Sequence, residues 1–223
     1  MSNLLEGKLA LVLGIANRWS LAYAVAQAYA REGATLVLTY LGDRQKGAIE
    51  DLSKELNVAA ILPCDVTKDD ELVELTNSLR ALDRPLHAVM HSLAFANRED
   101  LARPFLETSR GGFLLAQDVS AYSLVAVARA TAPVMTEGGS LATLTYLGST
   151  RVMPNYNVMG VAKASLEAVS YTHLDVYKRQ ASDGHQPVAP LPMVADVGHG
   201  APQRILRGRS RNEVCLLYTS RCV

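Results

Sequence analysis

The chain has 223 residues, nearly half of them hydrophobic, with 22 basic and 22 acidic side chains. That size and composition suit one α/β domain with a buried core and exclude global disorder. A formal charge of zero gives no electrostatic footprint for nucleic acid or an anionic membrane. Three cysteines without paired spacing argue against a disulfide framework or a zinc site, so no metal is expected. No basic region precedes an apolar stretch at the start, and no apolar run approaches the roughly 20 residues of a membrane helix. A soluble, cytoplasmic protein is expected, with no nucleic acid and no membrane among its partners.

Leu9 to Leu13 is a continuous apolar run ending in Gly14, the pattern of a parallel strand buried on both faces. Ser20 is a candidate N-cap for the Ala-rich stretch Leu21 to Arg31, and Gly33 its stop. Thr35 to Tyr40 is β-branched and apolar, a second strand. Asp43 to Leu56 has helical spacing, with Ile49, Leu52 and Leu56 on one face. Val58 to Leu62 is a third strand, closed by Pro63. Lys68 to Leu82 is a helix with Leu72, Leu75 and Leu79 inward, and Leu86 to Met90 a fourth strand. Gly111 to Met135 reads as one long helix, apolar on most sides, broken by Gly138-Gly139. Ser140 to Tyr146 is a fifth strand, and Asn155 to Ala168 begins another helix. Strands alternating with helices call for a Rossmann-like, doubly wound α/β fold with a parallel sheet.

Four places carry chemistry. The turn from Gly14, Ile15 and Ala16 to Ser20 and Leu21 sits between a strand and its helix, where backbone N–H groups and the helix dipole suit a pyrophosphate. As a glycine fingerprint it is weak, because the later glycines are absent. Asp65 and Val66 follow strand three; a carboxylate there can accept from an adenine amino group, or simply cap the next helix. His91, Ser92, Leu93 and Ala94 follow strand four, where small residues let a cofactor approach the backbone; His91 itself reads as a core histidine. Tyr146 ends strand five, and Tyr156 and Lys163 follow. A seven-residue step returns to within roughly 20° of the same helical face, so Tyr156 and Lys163 are expected to point the same way. An ammonium near a tyrosine favours the phenolate and can hold ribose hydroxyls.

The run from Tyr156 to Ala168, YNVMGVAKASLEA, resembles the active-site helix of the bacterial enoyl-acyl-carrier-protein reductases of the short-chain dehydrogenase/reductase superfamily. Thr145-Tyr146-Leu147-Gly148, Cys64-Asp65-Val66, and Gly14-Ile15-Ala16 with Ser20-Leu21 resemble the same family in the same order, over residues 4–168. The resemblance implies a cytoplasmic oxidoreductase of type II fatty acid synthesis. Hydride would pass from NADH, or NADPH, to the β-carbon of a trans-2-enoyl thioester on acyl carrier protein. It implies that Tyr156 stabilises the enolate, Lys163 holds the nicotinamide ribose, and Tyr146 flanks the acyl chain. Gly14, Ile15, Ala16, Ser20 and Leu21 would line the pyrophosphate side, Asp65 and Val66 the adenine, and Ser92, Leu93 and Ala94 the adenosine ribose and nicotinamide. Ala94 stands where glycine is common. Around Tyr40, Leu41 and Gly42 neither an acid for a ribose 2′-hydroxyl nor a basic pair for a 2′-phosphate stands at the strand end, and NADH is favoured. The alternatives are a 3-ketoacyl reductase, whose usual tyrosine–lysine step is four with a serine about a dozen residues before the tyrosine, and a silent nucleotide-binding fragment.

After Ala168 the resemblance stops. From Ser170 bases exceed acids, and four of the nine prolines and three of the five histidines appear. SYTHLDVYKRQ at Ser170–Gln180 and the terminal LLYTSRCV resemble translated adaptor sequence. The tail, 169–223, is read as irregular and joined by a sequencing or assembly error, with the family's sixth and seventh strands missing or replaced. Strand five would then be an exposed edge. The homotetramer expected of the intact family is not expected of this chain, and the chain as written is expected to be inactive or nearly so.

Overall fold

The computed structural model describes residues 3–170, 194–197 and 212–219. They fall in two compact units, Met1–Ser92 with Ala126–Leu141, and Leu93–Val125 with Ala142–Val223.

The first unit alternates β1 (Leu9–Leu13), α1 (Leu21–Arg31), β2 (Thr35–Tyr40), α2 (Asp43–Ser53), β3 (Val58–Pro63), α3 (Asp69–Ala81) and β4 (Leu86–His91). Its strands run in the order β3-β2-β1-β4, and each of these pairs is parallel. All five residues of β1 are buried because both faces of the strand are covered. Burying each of Leu9, Leu11 and Leu13 stabilises the fold by about 1.5–3 kcal/mol. Sequence order reverses at β1, with β2 on one side and β4 on the other, so the carboxyl ends of β1 and β4 flank the switch point of a Rossmann-like sheet.

Local chemistry sets the helix ends. Ser20 caps α1 from an extended backbone, its Oγ accepting the Tyr23 N–H at 3.3 Å. α2 stops at Ser53, short of the expected Leu56; the Ser53 hydroxyl turns back onto the Glu50 carbonyl at 2.7 Å and Leu56 N–H closes a turn on Ser53. On α3, Leu72, Leu75 and Leu79 are buried as their spacing predicts.

The long helix expected over Gly111–Met135 forms as α5 (Arg110–Gln117), a π-helical turn at Asp118–Tyr122, α6 (Ser123–Thr131) and a 3₁₀ turn at Ala132–Val134. Contrary to the expectation from apolar runs, this 25-residue stretch is long and apolar enough to cross a membrane by length and composition. Asp118 and Arg129 interrupt it, so no continuous run is visible, and half of its apolar window is buried in the protein, as in a core helix. A short helix not expected from the sequence, α4 (Arg98–Ala102), precedes it. Its Asp100 accepts the Ser109 N–H at 2.9 Å; this bond, against the opposing effect of burial, and the Asn97 amide hold the carboxyl below its usual pKa.

β5 (Gly139–Tyr146) begins in the first unit and ends in the second, followed there by α7 (Asn157–Ala168). The tail corrects two expectations. Val194–Val197 is a strand, β6, and Asn212–Thr219 is another, β7; they pair in parallel, in the order β5-β7-β6. These residues are therefore not irregular, and β5 is not an edge. Backbone pairing with a neighbouring strand supplies what the brief apolar runs Leu191–Val194 and Val214–Leu217 do not signal locally. The rest of the tail lies outside the described residues.

Candidate active site

In the first unit, the chain leaves β1 through Gly14, whose φ of 89° is open to glycine at little steric cost. Ile15 turns back into the core while Ala16, Asn17, Arg18 and Trp19 are exposed. Asn17 builds the loop: its Oδ1 accepts the Trp19 N–H at 2.8 Å and its carbonyl accepts the Ser20 hydroxyl at 2.7 Å. The loop thus delivers the chain to the N-terminus of α1, with Ser20 half-buried and Leu21 exposed. Beside it, Ser92 N–H donates to the Leu13 carbonyl at 3.1 Å, extending the β1–β4 pairing to the switch point. His91 is fully buried at the end of β4.

Asp65 follows β3. Its Oδ1 accepts both the N–H and the hydroxyl of Thr67, at 3.0 and 2.7 Å, and its Oδ2 lies 3.6 Å from the Lys68 ammonium. Burial alone would raise its pKa, but the Thr67 bonds and Lys68 outweigh burial and hold the carboxyl below the usual value. Asp65 does not cap α3, whose N-cap Lys68 has no side-chain cap bond; it orders the turn before the helix, which leaves the carboxylate ionised and its oxygens directed. Val66 is buried and Leu41 is exposed, with its N–H on the Gln45 side chain at 3.1 Å. Cys64, whose N–H donates to the Tyr40 carbonyl at 3.0 Å, is buried; burial and the nearby Glu71 and Asp65 charges push its thiol up to about 12.

In the second unit, Leu93 is half-buried and Ala94 exposed. The following residue is clamped: Ser120, buried in the π-helical turn, accepts the Phe95 N–H at 3.0 Å and donates to the Phe95 carbonyl at 3.2 Å. A widened helical turn that frees a side chain for such a bond recurs at functional sites.

Tyr146 and Tyr156 meet edge to face, with ring centroids 4.8 Å apart and planes at 61°. Tyr156 is half-buried and stands at the N-cap of α7, not inside the helix as the spacing suggests. It is flanked by Asn155 and Asn157, both at positive φ (58° and 35°). Asparagine tolerates that region better than most residues. Asn157 Nδ2 also donates to the carbonyls of Leu101 and Arg103, at 2.8 and 2.6 Å, which ties the start of α7 to the end of α4. Two turns on, Lys163 is buried and its Nζ donates to the Leu144 carbonyl at 2.8 Å. Tyr156 and Lys163 therefore both reach the end of β5, as a shared face requires. Close approach is secured by glycines: a Cβ at Gly148 would meet the rings of Tyr156 and Tyr146, and one at Gly160 would stand 2.6 Å from the Gly148 carbonyl oxygen.

Sequence reasoning gave no role to Asn157, Ser120, Thr145 or Glu167, although all but Ser120 lie in the runs that carry the resemblance. The only local signal was the Pro154-Asn155 pair, a turn former directly before Tyr156. Among the described residues, no group of three His, Cys, Asp or Glu side chains could hold a metal ion.

These features have close counterparts in known proteins. The family model described as enoyl-(acyl carrier protein) reductase matches residues 14–173. The NADH-dependent enoyl-acyl-carrier-protein reductase FabI of Bacillus cereus is 45% identical over 207 residues, covering 92% of this chain and 81% of the relative. The NADPH-dependent FabI of Staphylococcus aureus is 47% identical over 175 residues, covering 77% of this chain and 68% of the relative. The crystal structure of the Bacillus cereus enoyl-acyl carrier protein reductase with NADP+ and indole naphthyridinone superposes with a TM-score of 0.75 at 49% identity. It covers 77% of this chain and 67% of that one. The family model ends just past Ala168, near where the resemblance stops, whereas the Bacillus cereus alignment runs on into the tail. With a glycine turn after β1, a tyrosine pair at the end of β5 and the cap of α7, and matches of this extent, the chain belongs to the enoyl-acyl-carrier-protein reductase family.

Proposed function

We propose that residues 1–168 are the reductase region, and that they reduce the carbon–carbon double bond of a trans-2-enoyl thioester presented by acyl carrier protein. The observation that carries this is the Tyr146–Tyr156 pair with Lys163 held against the same strand end. The donor set fits a nicotinamide dinucleotide: an open glycine turn at the switch point, the amides entering α1, an ionised Asp65 and small residues after β4. NADH or NADPH, when bound, supplies hydride to the β-carbon.

The protein's own groups do the rest. Gly14, Ile15, Ala16, Ser20 and Leu21 line the pyrophosphate, Asp65 and Val66 the adenine, Leu41 the adenosine ribose side, and Ser92, Leu93 and Ala94 the ribose and nicotinamide side. Lys163 donates to ribose hydroxyls; its bond to Leu144 fixes where its ammonium lies. Tyr156 donates its hydroxyl to the thioester oxygen as negative charge develops there, which lowers the barrier because the bond strengthens in the transition state. Tyr146, packed on the Tyr156 ring, sets its angle and flanks the acyl chain. No acid stands right at the end of β2 to select a free 2′-hydroxyl, the first being Asp43 on α2, and relatives of both cofactor types match the chain; NADH is the favoured donor, in a cytoplasmic setting. The test is loss of nicotinamide absorbance with a 2-enoyl thioester. Turnover of a 3-ketoacyl thioester without turnover of the enoyl substrate would move the assignment to the ketoreductases.

A further inference from the structure

We propose that Glu167 and Thr145 form a positioning pair that sets the register of α7 on β5 and thereby the place of the Lys163 ammonium. The consequence for cofactor binding rests on the reading above. Glu167 is a buried carboxylate on the last turn of α7, 9% exposed, and Thr145 is 2% exposed on β5. The Thr145 hydroxyl donates to Glu167 Oε1 at 2.5 Å, the length of a charge-assisted hydrogen bond. Burying a carboxylate for packing alone is unfavourable, since an apolar residue of the same size would serve better. What the pair adds is direction.

The other contacts of α7 explain the need. Val158, Met159 and Ala162 pack with Ala116, Ala96 and Leu101, small apolar surfaces without a directional preference. The helix start is pinned by Tyr156 on Tyr146 and by Asn157 on the Leu101 and Arg103 carbonyls. Glu167 lies one residue before Ala168, after which the chain passes into a π-helical turn at 169–170. It sits four residues, about one turn, after Lys163, and its partner Thr145 directly follows Leu144, whose carbonyl holds the Lys163 ammonium. Two adjacent residues of β5 therefore receive two successive turns of α7. Releasing Glu167 loosens the turn of α7 next to Lys163 while leaving Tyr156 anchored.

The experiment uses the full 223-residue chain. Lys163 is labelled with an amine-reactive reagent and read by mass spectrometry of its peptide, and NADH affinity is measured by nucleotide fluorescence. Thr145→Val is expected to label about tenfold faster at Lys163 and to bind NADH about tenfold more weakly, whereas the single variants Thr145→Ser and Glu167→Gln, which keep a donor and an acceptor, stay near the parent in both. Thr76→Val is the stability control, since the Thr76 hydroxyl bonds the Leu72 and Ala130 carbonyls in the first unit; it lowers the melting temperature without speeding Lys163 labelling. The double variant Thr145→Val with Glu167→Met removes the unpaired carboxylate and regains melting temperature, yet keeps the faster labelling. Wild-type labelling in Thr145→Val, or recovery of both stability and labelling in the double variant, overturns the proposal. If the unaltered chain does not bind NADH while labelling still responds, the functional reading fails and the positioning pair stands.

Discussion

Gly160→Ala tests the packing that holds the candidate active site together, because two effects of opposite sign act on one methyl group. In an open helix the change is favourable by about 1 kcal/mol, since glycine loses the most backbone freedom on folding. Here the new Cβ would stand 2.6 Å from the Gly148 carbonyl oxygen, and 3.7 Å from Tyr156 Cδ1. The second contact is ordinary; the first needs a yield of about 0.8 Å by backbone, not by a flexible side chain. Such overpacking costs about 1–3 kcal/mol, so it outweighs propensity. At about 2–4 °C per kcal/mol for a chain of this size, the melting temperature is expected to fall by a few degrees. Gly47→Ala is the matched control: it lies inside α2, and its Cβ would meet nothing within 4 Å. Propensity acts alone there, and a rise of about 2–4 °C is expected. Thermal unfolding followed by circular dichroism reads both. If Gly160→Ala rises in step with Gly47→Ala, α7 does not lie against Gly148 as closely as described, and the account of Tyr156 placement falls with it.

Lys163→Ala is expected to raise the dissociation constant for NADH, and Tyr156→Phe to lower turnover with little change in cofactor affinity; normal NADH binding by the lysine variant would remove its ribose role. Asp65 has a folded-state pKa below the ordinary 3.8, so its contribution to stability is complete above the unfolded value and is lost as pH falls through the folded one. Asp65→Asn should therefore be less stable than the parent at neutral pH, with the gap closing below about pH 4 in urea titrations; a gap independent of pH would contradict the Thr67 and Lys68 account. The resemblance to the family stops after Ala168 and the family model ends at residue 173, so residues 169–223 are the segment to exchange. Replacing them with the matching segment of the Bacillus cereus relative should raise enoyl reductase turnover at least tenfold, and equal turnover by the two chains would show that the present C-terminus is competent.

The central strands β1, β2 and β4 were legible because they are buried on both faces. Leu9–Leu13 has no polar residue and Thr35–Tyr40 no charged one, and their ends fall where Gly14 and the turn after Tyr40 require. Capping chemistry located α1 through Ser20, and the leucine spacing located the buried face of α3. Elements fixed by contacts distant in sequence were hidden. α4 is five residues long and its Asp100 is satisfied by Ser109, nine positions away. The π-helical turn exists so that Ser120 can hold Phe95, a bond across 25 residues with no local pattern. β6 and β7 form on pairing that their brief apolar runs do not announce.

The candidate site divides along the same physical line. Tyr146, Tyr156 and Lys163 are legible because their chemistry is carried by residue type and by helical spacing. What places them is not legible, since it consists of backbone carbonyls, glycines and one buried pair. The seven-residue step predicts a shared face with Tyr156 inside the helix, but Asn155 and Asn157 at positive φ move Tyr156 to the cap. The shared direction survives because β5 supplies both ends of the geometry: the Tyr146 ring receives one side chain and the Leu144 carbonyl the other. A tyrosine–lysine spacing therefore carries weight only with the strand that receives it. On that ground Thr145, between Leu144 and Tyr146 and bonded to α7 through Glu167, has the strongest claim among the residues to which sequence reasoning gave no role.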